Sequence, residues 1–315
     1  MLTDFRLKIR NFIKKHKWKV VVFIVIWSIL IAINVILKNI PNDTPITTYT
    51  PHEPIIENGD TTPKKWQDDI ENYIKQYVDY CNKKDYEKAY NMISENCRDK
   101  IYPNIDEFKA YVDYVFSSPK VYSIQNFSNR DNVYIYRVRL FEDILATGLT
   151  YSETLQYFED RFIFTEDNGK LLMSVKSYIG DEKTDYMYED QYMRITIKSK
   201  SIMYDEEIYN IEVQNKTEYT IVLADDETAN EISFIVQGEN RPMLVEENWQ
   251  AIYVKPRSNN NFTISCTQFF DEGVNTTGIN FDSVRVLRSY SGKEELKEQE
   301  LENAVSLYGF TLSLE

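Results

Sequence analysis

The hydrophobic pattern begins with one uninterrupted apolar run near the start of the chain. Residues 20–37 contain no charged side chain. A helix of that length, at ~1.5 Å rise per residue, spans roughly 27 Å, close to the thickness of a bilayer's hydrocarbon core. Trp18, Trp27 and Lys38 stand where membrane anchors are expected. The run therefore predicts a single transmembrane helix over residues 20–37.

A cleaved signal peptide is the alternative interpretation of this run. The apolar region of a signal peptide usually has ~7–15 residues and ends at a small-residue cleavage site. This run is longer, and the sequence Lys-Asn-Ile-Pro follows it. The sequence therefore favours an anchor that stays attached to the protein.

The charge on either side of the span predicts its orientation. Seven Lys and Arg residues lie within residues 1–19. Because positively charged flanks stay in the cytoplasm, residues 1–19 are predicted to be a basic cytoplasmic segment. Residues 38–64 hold five of the nine prolines and no apolar period, which predicts an extended stalk. The rest of the chain is expected outside the cytoplasm, held to the cell membrane by one span.

Within residues 65–180 the apolar period changes from that of helices to that of strands. Apolar side chains recur at spacings of three and four in three predicted helices, near residues 66–81, 86–93 and 106–115. From residue 120 the period drops to two, which predicts about four antiparallel strands. The pair Asn168-Gly169 predicts a hairpin turn between the last two of them.

Residues 186–315 show no comparable helical signal. Short apolar segments with alternating character recur at spacings of about 10–15 residues, separated by turn residues such as the run of Asn at 259–261. This pattern predicts a β-sandwich. The charged segment at 293–304 is consistent with a short helix or a loop.

The order of helices and strands in the first of these regions resembles the NTF2-like superfamily, cone-shaped α+β domains. The phrases NKKDYEKAYNMIS at 82–94 and IDEFKAYVDYVF at 105–116 carry the resemblance. The segment IYNIEVQNKTEYTIVLAD at 208–225 resembles the paired strands of Ig-like sandwiches on bacterial extracellular proteins. Together they imply an α+β NTF2-like domain plus an all-β Ig-like sandwich, preceded by a single transmembrane helix, in a membrane-anchored Gram-positive cell-envelope protein.

Charge also limits the partners. Residues 1–40 carry eight basic residues and one acid, so 28 basic and 49 acidic residues lie beyond them. Such a negative field repels phosphate backbones, so we expect no nucleic-acid partner. The expected partners are membrane lipid, through the N-terminal helix, and another envelope protein or a wall component.

Several common catalytic and metal sites do not fit the residue types present. The two histidines, His16 and His52, precede both predicted domains, so the domains lack the base of a Ser-His-Asp or Cys-His site. We expect no cofactor and no metal. The acidic pair Glu142-Asp143 and the run at 225–227 contain oxygen ligands for Ca²⁺ but lack EF-hand spacing. Cys81 and Cys97 either form a disulfide or remain separate thiols.

One carboxyl group is the best candidate for a ligand pocket. Strand alternation places Asp160 on one face with Phe158 and Phe162, and Tyr134 and Tyr136 share a face of the neighbouring strand. A carboxylate among aromatic side chains has a raised pKa and suits a small ligand. The alternative is that Asp160 reaches solvent or pairs with a nearby Lys or Arg.

These features favour a non-catalytic, membrane-anchored extracytoplasmic binding or scaffold protein of the cell envelope. One alternative is a VirB8-like structural component of a secretion or conjugation complex, implied by the single span and the NTF2-like resemblance. The other is an NTF2-like enzyme that uses Asp160 as its pocket carboxylate.

Overall fold

The structure is a computed structural model that describes residues 58–59, 62–142, 157–225, 231–245, 250–290 and 303–315. The predicted cytoplasmic segment and transmembrane helix, with Trp18, Trp27 and Lys38, lie outside these ranges, as does most of the stalk. Across the ranges described, no helix is long and apolar enough to cross a bilayer. All of the described residues belong to one unit, Tyr49–Glu315.

Four helices precede most of the strands. They are α1 (Lys64–Asn82), α2 (Tyr86–Met92), α3 (Glu95–Ile101) and α4 (Ile105–Val115). Three were predicted, because apolar residues repeat along one face, and in α1 this face is buried at Ile70, Ile74 and Tyr77. The seven-residue α3 was missed because a helix this short contains a single buried position, Cys97.

The helices cover one side of a first sheet, whose strand order is β1-β2-β3-β4-β5. Its strands are β1 (Asn58–Gly59), β2 (Val121–Arg130), β3 (Val133–Phe141), β4 (Phe158–Asp167) and β5 (Lys170–Ser174). The pairings are antiparallel except for the short β1–β2 pair. The β4–β5 turn is the predicted Asn168-Gly169 pair, and both residues have the positive φ that a tight hairpin requires.

Two further antiparallel sheets form a β-sandwich. One has the order β14-β9-β8-β6 with β7 also on β8, and the other has β12-β11-β15-β10-β13 with β16 on β15. The strands are β6 (Tyr178–Lys183), β7 (Met187–Glu189), β8 (Met193–Met203), β9 (Glu206–Asn215), β10 (Thr220–Ala224), β11 (Ile232–Val236), β12 (Glu239–Pro242), β13 (Ile252–Val254), β14 (Asn259–Thr267), β15 (Thr276–Leu287) and β16 (Ala304–Ser313). Both sheets contribute to one core; Ile195, Ile211, Phe234 and Phe281 are among its fully buried residues.

The NTF2-like resemblance is wrong for this chain. Strands make up 52% of the described residues, arranged in three sheets, and three of the four helices have no more than eleven residues. The resemblance relied on the order of helices and strands. Any sheet with amphipathic helices packed on one side produces that order, so it does not identify a superfamily.

Candidate functional site

Asp160 lies in β4 on the side of the first sheet that faces the helices. Its Cα is opposite Val138 of β3, and the next pair on the same side is Phe162 with Tyr136. Tyr134 is one pair further along, opposite Phe164. The structure therefore places all five predicted site residues on one side of the sheet, but along the strands rather than around one point.

The carboxyl group of Asp160 is buried and only partly satisfied. The residue is 6% exposed. Its Oδ1 accepts a hydrogen bond from the backbone N–H of Lys176, with 2.9 Å between the two atoms. Its Oδ2 is buried without a hydrogen-bond partner in the part of the chain that the structure describes. A buried acceptor left in this state costs about 1–3 kcal/mol, so the arrangement calls for an explanation.

The environment of Asp160 also shifts its proton equilibrium. Burial raises the pKa of Asp160 to about 7, while the hydrogen bond from the backbone of Lys176 and the positive charges of Lys176 and Arg161 act in the opposite direction. Desolvation is the larger effect because the charged form loses its hydration in the core. Near neutral pH this carboxyl group is therefore able both to donate and to accept a hydrogen bond.

A tight turn brings Lys176 to Asp160. Lys176 and Ser177 have φ of 52° and 63°, and the backbone N–H of Tyr178 donates to the carbonyl of Val175 at 3.2 Å. This is a type I′ geometry, which normally selects Asn or Gly. For other residues the left-handed region costs about 1–2 kcal/mol each. The turn is held in place because its two N–H groups bond to Asp160 and to the carbonyl of Arg161.

The ammonium group of Lys176 lies over two aromatic rings. Its Nζ is 4.9 Å from the ring centre of Tyr102 and 5.0 Å from that of Tyr111. Cation–π contacts of this kind stabilise a partly desolvated ammonium group. Sequence reasoning missed Lys176, since a Lys-Ser pair gives no signal for a type I′ turn.

Two tyrosine hydroxyl groups in the same core are, like Oδ2 of Asp160, buried without a hydrogen-bond partner in the described structure. They belong to Tyr77 and Tyr102. Burial raises the pKa of both hydroxyls, and the negative charge of Asp160 raises it further. Three unsatisfied polar atoms thus lie within one electrostatic environment, in which buried water is the usual partner of such groups.

A small cavity opens beside Asp160. It has a volume of about 230 Å³ and is lined by Phe158, Glu159, Asp160, Arg161, Lys176 and Ser177; we call it the Asp160 cavity. Both signs of charge, a hydroxyl and an aromatic ring contribute to its wall. Since liquid water occupies about 30 Å³ per molecule, the cavity suits several waters or one small polar molecule.

The other predicted pocket residues help to fill the core. The ring of Phe162 packs edge-on against Tyr77 with 5.3 Å between centroids. The hydroxyl of Tyr136 donates to Oγ1 of Thr62 at 3.0 Å, which leaves it satisfied. Of the five predicted residues, only Asp160 and Phe158 line the cavity.

A larger groove of about 720 Å³ lies between α1, the α2–α3 junction and β5. Its acidic residues, Asp69 and Glu95, are exposed to solvent. The N–H of Ser94 donates to the carbonyl of Met173 at 2.7 Å, so part of the β5 edge is already paired. The smaller cavity is the better candidate because it contains a buried, unsatisfied acid.

The cysteines are free and buried. Cys81 and Cys97 therefore do not form a disulfide in this structure. Burial raises the pKa of the thiols to about 12 for Cys81, about 11 for Cys97 and about 12 for Cys266. Because the thiolate is the reactive form, all three are chemically inert near neutral pH.

The acidic clusters considered for calcium have other roles or lie partly outside the described residues. Glu142 accepts hydrogen bonds from Lys120 and Ser118, and Asp225 forms an ion pair with Arg285 at 3.8 Å. Residues 143 and 226–227 are not described. Within the described ranges, no group of three or more His, Cys, Asp or Glu side chains is placed to hold a metal ion.

Comparison with known proteins does not change this picture. No protein-family model matches the chain, and no curated protein sequence matches it. The structure shows the predicted β-sandwich, and the Ig-like resemblance of residues 208–225 stays a prediction.

Proposed function

We propose that this chain is a membrane-anchored extracytoplasmic binding protein of the cell envelope that holds a small polar ligand in the Asp160 cavity. The proposed location depends on the apolar run at 20–37 and on the basic segment before it. The proposed binding role depends on the geometry around Asp160.

One observation carries the binding role: Asp160 lines the cavity, and its Oδ2 is buried without a hydrogen-bond partner among the described residues. A ligand that offers an amine or a hydroxyl group would donate to this oxygen and remove the desolvation cost of an unpaired acceptor. Phe158 provides an apolar surface for the rest of the ligand. An amino alcohol or an amino sugar fragment has this combination of groups.

A second function is favoured by the proton equilibrium of the same group. A carboxyl group whose pKa lies near 7 is suited to general acid–base catalysis. The candidate enzyme would use Asp160 to transfer a proton to or from a bound substrate. The VirB8-like alternative relied on the NTF2-like resemblance and is not carried further.

Thermal unfolding of the full chain in detergent, with a panel of small amines, polyols and amino sugars, tests the binding role. We expect at least one class to raise Tm of the wild type, because a ligand that binds the folded state stabilises it. Asp160→Asn keeps the shape of the side chain but replaces one acceptor oxygen by an NH2 donor. It should therefore reduce the rise in Tm that the ligand causes. Asp79→Asn, at an exposed site on α1, is the matched control and should leave it unchanged. An equal rise in all three proteins would contradict the proposal.

Turnover separates binding from catalysis. If a ligand found in this way is consumed by the wild type and not by Asp160→Asn, the enzyme is the correct interpretation. If it is recovered intact from both, the binding role stands.

Protease treatment of intact, wall-stripped cells tests the location. We expect external protease to remove residues 65–315 without lysis, because the folded part lies outside in the proposed topology. Survival of that part until the cells are lysed would contradict the topology.

A further inference from the structure

The opposite side of β3 and β4 carries a cluster of arginines. Arg137 is directly opposite Arg161, and Arg139 is opposite Glu159. Like charges placed directly opposite each other on a sheet are destabilising. The pair therefore needs a compensating interaction.

Cation–π contacts with aromatic rings offset part of the repulsion between the two arginines. A β-bulge between Asn126 and Ser128 leaves Phe127 unpaired in β2, and its ring lies under both guanidinium groups. The guanidinium carbons of Arg137 and Arg161 are 4.1 Å and 5.7 Å from the ring centre. Arg161 also lies 4.8 Å from the ring centre of Tyr204. We call Arg137, Arg139 and Arg161, with Phe127, the arginine platform.

Acidic neighbours neutralise the platform incompletely. Glu159 is 3.3 Å from Nε of Arg137 and 2.7 Å from Nε of Arg139, and Asp205 is 3.2 Å from Nη1 of Arg161. Among the described residues, three cations thus face two anions, in a chain whose net charge is −14. The Nε atoms of Arg137 and Arg161 are buried without a well-aligned acceptor among the described residues.

We propose that the arginine platform binds an oxyanion of the phosphate type. Guanidinium groups present parallel N–H donors that match phosphate oxygens, and their stacking on an aromatic ring fixes the direction of those donors. The side chains of Arg137 and Arg161 are 22% and 26% exposed, so part of each remains accessible to a ligand. One bound anion would balance the excess charge and bridge the opposed pair. The platform shares Arg161 with the wall of the Asp160 cavity, whereas Arg137 and Phe127 do not line that cavity, so a variant at Arg137 tests the platform apart from the cavity.

The test is a calorimetric titration of the full chain with inorganic phosphate at fixed pH and ionic strength. We expect the double variant Arg137→Gln/Arg161→Gln to bind phosphate at least about tenfold more weakly, because charge-assisted hydrogen bonds are lost. Arg194→Gln, which removes a half-exposed arginine paired with Glu189, is the matched control and should bind as the wild type does.

Folding is checked by circular dichroism, and Arg137→Lys provides a variant that keeps the charge. We expect Arg137→Lys to fold and to bind phosphate more weakly than the wild type, since an ammonium group lacks the paired donors. Absence of phosphate binding by the wild type, or equal affinity in the double variant, would overturn the proposal.

The phosphate has two possible sources, a soluble phosphate ester or the headgroup of an anionic lipid. Repeating the titration with the chain in phosphatidylcholine nanodiscs, with and without phosphatidylglycerol, distinguishes them. Weaker binding of free phosphate in the anionic discs at high ionic strength, where general repulsion by the membrane surface is screened, would identify the headgroup as the ligand. Equal binding in both would identify a soluble phosphate.

Discussion

Two buried carboxyl groups, Asp160 in the helix-covered sheet and Glu207 in the sandwich, have nearly the same exposure, at 6% and 5%. Their surroundings differ. Oε2 of Glu207 accepts hydrogen bonds from the hydroxyls of Tyr209 and Thr276, each at 2.6 Å. Lys200 lies 3.4 Å from its other oxygen. Asp160 has one hydrogen bond from Lys176 to Oδ1, and its Oδ2 is unsatisfied within the described structure.

The difference separates a structural acid from a candidate binding group. Glu207 is in β9 and Thr276 is in β15, so their hydrogen bond joins the two sheets of the sandwich. A fully bonded acid of this kind contributes to one specific packing of the core. An acid with an unsatisfied oxygen contributes nothing comparable to the fold, and a ligand that donates a hydrogen bond to it would recover part of its free energy cost.

The largest expected effect is the pH dependence that Asp160 gives to folding. Its pKa is about 7 in the folded protein, against the 3.8 that is usual for an aspartic acid, so the folded state binds the proton more tightly. The stability gained in this way is complete below about pH 4 and is lost as the pH rises to about 7. Three pH units correspond to about 4 kcal/mol.

The measurement is the free energy of unfolding of the wild type and of Asp160→Asn, by denaturant titration from pH 4 to pH 8. We expect the wild type to lose about 4 kcal/mol relative to the variant across that range. A constant difference between the two proteins would show that Asp160 does not titrate abnormally.

Replacing Glu207 by glutamine should lower the free energy of unfolding, unlike Asp160→Asn at the same pH. Glu207→Gln keeps the volume but removes the charge that two hydroxyls and Lys200 share, so we expect a loss of about 2 kcal/mol at pH 7.5. At the same pH, Asp160→Asn should be neutral or stabilising. Equal losses at both positions would remove the distinction drawn between them.

The turn that serves Asp160 should tolerate glycine. Ser177 has a φ of 63°, so Ser177→Gly is expected to raise the free energy of unfolding by about 0.5–1 kcal/mol. The control is Ser123→Gly within β2, where glycine should lower it by a similar amount. A loss at Ser177 would show that its side chain is needed in the turn.

An exposed ion pair gives the smallest effect and sets the baseline. Lys75 and Asp79 are 2.9 Å apart on α1, with about half of each side chain exposed. Water and salt screen such pairs, so Lys75→Ala should change the free energy of unfolding by less than about 0.5 kcal/mol. A change as large as that of Glu207→Gln would mean that burial and the number of hydrogen bonds do not determine how much each acid contributes to stability.

Elements with strong local periodicity were predictable from the sequence. α1 and the β4–β5 hairpin follow from the spacing of apolar residues and from Asn168-Gly169, which need little information from the rest of the chain. The alternation in β4 also puts Asp160 on the same side as Phe162. Strand identity and side-chain direction are local properties, and both could be read in advance.

The features that make the site were not predictable. The sequence predicts a single strand after the Asn168-Gly169 turn, whereas the chain turns again at Lys176 and Ser177 and β6 then pairs with β8 in another sheet. Long-range packing holds this turn, and its residues give no local signal for it. For the same reason, the sequence did not indicate which of the aromatic residues near Asp160 fill the core and which leave a cavity.

The short connection between β5 and β6 has a mechanical consequence. It leaves the first sheet at Ser174 and enters the sandwich at Tyr178, and the carbonyl of Ser177 accepts from the N–H of Tyr204 at 2.8 Å. A compound that displaced the peptide of Lys176 from Asp160 would therefore pull on the strand that leads into the sandwich. Through this connection, binding of a compound at Asp160 in the first sheet would strain the backbone of the sandwich.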